Sequence, residues 1–231
     1  MGQLTTEQVI NRVKVSLEQK TPLTLVRIGD GENIILAQDS VWPLNRLYKE
    51  TWVKQAQKGK KGVSIPNIQL RDEMVKAIKK ADIVGLLPEN DQIIDAPDYL
   101  KRPLTEAVFK HFKINPETTC EATVMRECIN NLKFWNLFKG KKVLVIYEHA
   151  KLWTSTLRKK YGVNVTMAIP FTHYKQMSSC LDIIQKSAHK FDVVLLACGV
   201  NSVVLAHEIV KRTGKIAIDF GKPAKFMSSV N

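Results

Sequence analysis

Lys142-Val-Leu-Val-Ile-Tyr147, Val163-Asn-Val-Thr-Met-Ala-Ile169, Phe191-Asp-Val-Val-Leu-Leu-Ala197 and Lys215-Ile-Ala-Ile-Asp219 are four short apolar runs in the last part of a chain of 231 residues. Between them the apolar residues recur at helical spacing, over about 149–161, 174–189 and 201–213; Met177, Leu181 and Ile184 share one side of the second helix. Runs this short and this continuously apolar are strands buried on both faces. A parallel sheet needs a crossover between neighbouring strands, and the intervening helices supply it. The reading is therefore an α/β protein, Rossmann-like in the broad sense, with a mainly parallel sheet and helices on both faces.

The same alternation extends towards the amino terminus. A helix is expected at about 70–81, with Leu70, Met74, Ala77, Ile78 and Ala81 on one side, followed by the strand Ile83-Val-Gly-Leu-Leu87. Pro88, Pro97 and Pro103 interrupt the chain, and helical patterns return near 103–113 and 121–138. At the start, Thr5 and Gln8 fit a capping box for a helix over about 5–19. Pro22 leads into a strand, Leu23-Thr-Leu-Val-Arg-Ile28, and Gly29 and Gly31 mark a turn before a helix at 32–38. Residues 39–68 read as a loop-rich insertion with one helix. No linker divides the chain, so 1–231 is expected to form a single domain.

The bulk composition is that of an ordinary soluble protein, 45% hydrophobic and 25% charged, which excludes disordered and collagen-like classes. Cys120, Cys128, Cys180 and Cys198 show neither zinc-ligand nor redox spacing and read as buried free thiols of a reducing compartment. With no signal-peptide pattern and no long apolar run, a cytoplasmic location is expected. The net charge of +13 is the unusual feature. It attracts polyanions, and an anionic membrane surface or an anionic substrate fits as well as nucleic acid. Nucleic-acid binding rests on charge alone, because no recognition motif or interleaved aromatic residue accompanies the lysine clusters.

Ligands of open parallel sheets bind beyond the carboxyl ends of the strands. The polar residues there are Asp30 and Glu32, Glu148 and His149, Gly199, Asn201 and Ser202, and Asp219. Two carboxylates flanking Gly31 suit a hard divalent cation, Mn2+ or Mg2+, which binds through one or two carboxylates and completes its shell with water and phosphate oxygens. Arg27 offers a bidentate contact to the same phosphates, and Gly29 and Gly31 leave room for a ligand. The alternative is purely structural, with Asp30 capping the next helix and Glu32 favouring its first turn. On spacing alone the two readings stand level. Backbone N–H groups at Gly199–Ser202 open a helix and suit a phosphate or sugar hydroxyl, with Asn201 as a plain cap the competing role. Glu148 or His149 fits a general base for an acceptor hydroxyl, and Asp219 fits either a ligand contact or a lysine partner.

The segment Pro22-Leu-Thr-Leu-Val-Arg-Ile-Gly-Asp-Gly-Glu32 resembles the opening strand and Asp-x-Glu motif of the GT-D glycosyltransferases, a bacterial family formerly described as a domain of unknown function. Ala81-Asp-Ile-Val-Gly85, Lys141-Lys-Val-Leu-Val-Ile146, Leu195–Ala206 and Ala217-Ile-Asp-Phe-Gly221 are similar to its later strands and loops. The resemblance implies a metal-dependent transfer of a hexose from a nucleotide sugar, a UDP-sugar, to a glycan or glycoprotein acceptor. Asp30 and Glu32 would be its metal and donor motif. One departure follows Gly221: the family pattern continues with a histidine and acidic residues, whereas this chain has Lys222-Pro-Ala-Lys-Phe226. A non-catalytic nucleotide-sugar-binding module is the alternative that this departure favours.

Overall fold

Alternate residues of each central strand enter two separate cores. In the computed structural model, which describes residues 2–223, Val26 and Ile28 of β2 (Leu23–Ile28) point into one core, while Leu23 and Leu25 point into the other. Preceding β2 are β1 (Gly2–Leu4) and the helix α1 (Thr6–Gln19), which opens with the expected capping box of Thr5 and Gln8. Then come α2 (Asp30–Ala37), α3 (Leu44–Leu47), α4 (Thr51–Gln57), α5 (Ile68–Lys80), β3 (Ile83–Leu86), α6 (Arg102–Phe112) and β4 (Thr118–Glu121). The second half holds α7 (Val124–Ile129), α8 (Leu132–Asn136), β5 (Val143–Tyr147), α9 (Ala150–Tyr161), β6 (Val165–Ile169), α10 (Met177–Lys186), β7 (Val193–Ala197), α11 (Asn201–Thr213) and β8 (Ile216–Asp219).

Among the described residues these strands form one eight-stranded sheet in the order β1-β4-β3-β2-β8-β7-β5-β6, every pair parallel. Helices α1, α7, α8 and α9 cover one face and the others pack on the second. The expected α/β class, with helices on both faces, is therefore the observed one. The last element to be added, β8, inserts beside β2, the first long strand. Residues distant in sequence thus end at neighbouring points on one rim: Ile28 of β2, Asp219 of β8 and Ala197 of β7.

Two strands are additions to the sequence reading. β1 is half exposed and joins the sheet edge through backbone pairing with β4, while β4, Thr-Thr-Cys-Glu, is too short and polar to show a period. The pattern at 121–138 divides into α7 and α8 at Asn131, whose side chain accepts the Lys133 N–H and starts a new helix. Residues 39–68 carry two short helices where one was expected. This segment is built into the core: Leu47, Val53, Ala56, Val63 and Ile65 are buried in the cluster that holds α2 and α11. The four cysteines are free and buried, and burial pushes the thiols of Cys120, Cys128 and Cys180 up to about 12. Among the described residues no helix is long and apolar enough to cross a membrane.

Candidate functional site

Asp30 is the first residue of α2, and Gly29 before it is the N-cap. A glycine cap has no side chain to satisfy the helix's first N–H groups. Glu32 instead turns back, and its carboxylate accepts the Gly29 N–H at 2.9 Å. One oxygen of Glu32 therefore serves the helix start by reaching back to its cap. Asp30 does not serve as the cap, and no donor among the described residues bonds to its half-buried carboxylate.

Asp219, at the end of the neighbouring strand β8, is the third carboxylate of the group. Burial, then the charge of Asp219, then that of Asp30, push the Glu32 carboxyl up to about 7. Burial also raises Asp219, against the pull of Arg27. Two adjacent strands thus bring together acidic groups that repel one another and lack enough positive charge between them. A carboxylate cluster of this kind is stabilised by a bound cation. Asp30 and Glu32 are the groups able to hold a divalent ion. Among the described residues no set of three or more His, Cys, Asp or Glu forms a complete protein cage. Two carboxylates suffice for Mg2+ or Mn2+ where phosphate and water supply the remaining ligands, so the residues present fit such an ion.

Arg27, the residue expected to clamp phosphate, bonds within the protein through three of its five N–H donors. Its Nε donates to the Asp219 carbonyl at 2.9 Å, its Nη1 to the Ala122 carbonyl at 2.9 Å and its Nη2 to Asp219 Oδ1 at 3.3 Å. With these donors committed, it positions Asp219 and ties β2 to the loop after β4. Gly221 belongs to the same arrangement. Its φ is +77°, its N–H donates to Asp219 Oδ1, and a Cβ there would run into the Arg27 guanidinium.

The side chains of Asn201 and Ser202 are fully buried and bond to backbone atoms. Ser202 Oγ accepts the Cys198 N–H at 3.0 Å. Asn201 Nδ2 donates to the Gly62 carbonyl at 3.0 Å, and its Oδ1 has no hydrogen-bond partner among the described residues. Asn201 is the first residue of α11, while Val200 holds the cap position. Gly199 has a φ of +56° with open space around it. Glu148 and His149 form an exposed pair, Nε2 to Oε1 3.8 Å, at the end of β5. β5 is three strand positions from β2, about 14 Å across the sheet. The structure therefore gathers Asp30, Glu32 and Asp219, and leaves Glu148 and His149 at the rim.

Three residues of the site lie in the segment that the sequence left without regular structure. A Cβ on Gly31 would meet Trp52 Nε1 at 3.0 Å and Val200 Cγ1 at 3.1 Å, so the absence of a side chain lets the indole of α4 lie against the acidic motif. Lys61 Nζ stands 5.5 Å from the centre of the Trp52 ring and feels the charge of Asp30. Gly62 follows with a φ of +67° and would place a Cβ 2.8 Å from the Thr172 carbonyl. The signal legible in the sequence was the glycine that ends the run Lys-Gly-Lys-Lys-Gly62. Of the segment after Gly221 that departs from the family pattern, Ala224–Phe226 lie outside the described residues.

Residues 4–227 match a family model described as a GT-D fold-like domain. Two solved structures share the architecture. One, described as the highly conserved domain of unknown function 1792 with a distinct glycosyltransferase fold, gives a TM-score of 0.59 at 16% identity, covering 96% of this chain and 78% of that one. The other, a selenomethionine-substituted structure of domain of unknown function 1792, gives 0.60 at 15% identity with the same coverage. No curated protein sequence matches the chain. At these identities the structural likeness establishes the fold.

Proposed function

From the premise that the chain belongs to the GT-D fold-like domain family, we propose that it is a glycosyltransferase that moves a hexose from a nucleotide sugar, with UDP the favoured nucleotide, to a hydroxyl of a glycan or glycoprotein. The observation that carries this reading is the meeting of Asp30, Glu32 and Asp219 at adjacent strand ends, with the Asp30 carboxylate unbonded and Glu32 driven up to about 7 by burial and its acidic neighbours. Asp30 and Glu32 would hold Mn2+ or Mg2+, and the ion when bound would supply positive charge to a leaving diphosphate. The chain's own contribution is positional. Arg27 fixes Asp219, and Gly29 fixes one oxygen of Glu32.

Titration calorimetry with UDP and UDP-hexoses, with and without Mn2+, tests the reading. Binding should require the metal, and Asp30→Ala should weaken it at least about 100-fold, the loss expected on removing a charged ligand from such a site. Metal-independent binding, or binding that Asp30→Ala leaves intact, overturns it. Metal-dependent binding without turnover on any glycan acceptor would favour the non-catalytic module.

A further inference from the structure

A diphosphate carries more negative charge than one divalent ion neutralises, and three N–H donors of Arg27, the residue placed to meet it by its position in the sequence, are engaged by Asp219 and Ala122. A second cation lies near the acidic motif, by the Trp52 indole that packs on Gly31. Lys61 is half-buried, its Nζ lies 5.5 Å from the Trp52 ring centre, and no carboxylate among the described residues is within ion-pair distance of it. Burial and Lys222 lower its pKa, and Asp30 opposes them. Its contact is with the Trp52 ring, whereas the buried Lys101 is paired with Asp91 and Asp98 at 3.6 and 3.1 Å.

The backbone beneath Lys61 is fixed with unusual care. The Gly62 carbonyl accepts from both Tyr174 N at 2.8 Å and Asn201 Nδ2 at 3.0 Å, and the positive φ and the closeness of Thr172 restrict the position to glycine. This corner ties the segment after α4 to the start of α11. The indole of Trp52, seated on Gly31, walls the same space. The ammonium thus lies near the face of the indole that packs on Gly31, the glycine between Asp30 and Glu32.

We propose that Lys61 is the diphosphate-binding cation of this site, its ammonium held against the nucleotide's phosphates by the Gly62 corner and the Trp52 wall. The assignment rests on the nucleotide-sugar reading above and adds to it the group that recognises phosphate. Asn201 acts through it as a positioning residue.

Calorimetry on the full chain with Mn2+, using UDP, UMP and uridine as probes, tests the assignment. Lys61→Met keeps the stem and removes the charge; it should weaken UDP binding about 10- to 100-fold, the range for losing a charge-assisted hydrogen bond. Uridine binding should change less than 3-fold, and Lys61→Arg should retain most of the UDP affinity. An unchanged thermal midpoint in Lys61→Met shows that folding is intact. If the wild-type chain binds UDP with dependence on Asp30 while Lys61→Met binds it equally well, the Lys61 assignment falls and the function stands. An equal loss for uridine and UDP also overturns it, since the lysine would then shape the pocket without reading phosphate. If the wild-type chain binds none of the probes, the nucleotide-sugar reading itself falls.

Discussion

The two rims of the sheet carry opposite charge problems. At the carboxyl rim, burial and the charges of Asp219 and Asp30 raise the Glu32 carboxyl, Arg27 bonds Asp219, and Lys61 lies near the Trp52 ring. At the amino rim the crossover helices end, and their last turns are basic: Lys79 and Lys80 in α5, Lys110 and His111 in α6, Arg158, Lys159 and Lys160 in α9, Lys186 in α10, Lys211 and Arg212 in α11. All crossovers of a parallel sheet run the same way, so their negative dipole ends gather at one rim, and cations there are stabilising. Much of the net charge of +13 is thereby placed away from the candidate site. A bulk charge describes the whole surface and says little about a ligand until the topology has sorted it.

The sharpest way to break this contrast is at Arg27. If it is a structural partner of Asp219, Arg27→Ala leaves a buried carboxylate uncompensated and should lower unfolding free energy by about 2–4 kcal/mol in urea melts. Loss of nucleotide binding with stability intact would restore it to the ligand.

Next comes the pH dependence of Glu32. Its folded-state value of about 7 lies above the ordinary 4.5. Below 4.5 the carboxyl is protonated in both folded and unfolded chains and adds nothing. As pH rises from 4.5 to 7 the unfolded chain loses its proton first, so stability falls, and above 7 the full cost persists. Glu32 keeps some solvent contact, which limits that cost to on the order of 2 kcal/mol. Glu32→Gln retains a side-chain acceptor for the Gly29 N–H and should flatten the metal-free stability profile between pH 4.5 and 7. A profile whose slope is unchanged by the substitution would mean that the acidic groups are not coupled as the geometry implies.

The smallest effect belongs to the amino rim. Lys79→Ser with Lys80→Ser should cost under about 1 kcal/mol, less at high salt, by removing charges from the end of α5. UDP affinity should stay within 2-fold. A large loss of UDP affinity would show that the two rims are not separate.

Much of the fold was legible because burial on both faces leaves an unmistakable run of apolar residues, as in Val143–Tyr147 and Val193–Ala197. β4 escaped because four polar-leaning residues carry no period, and β1 because an exposed edge strand is held by backbone bonds alone. The Asp30–Glu32 motif was also legible, since strand, glycine turn and helix are local events. Trp52, Lys61 and Gly62 were not, because their segment has no periodicity and its destination is a contact with α2 and α11.

Sequence alone therefore determined the alternation of strands and helices, and the presence of two acidic residues just beyond the first long strand. Only the tertiary structure decided which charges meet. It committed Arg27 to Asp219 across 192 positions of chain, and it set Lys61 by the Trp52 indole that packs on Gly31. Local propensity acts over a few residues, whereas a charge responds to whatever packing brings within several ångströms, and that is set by the order in which strands enter the sheet.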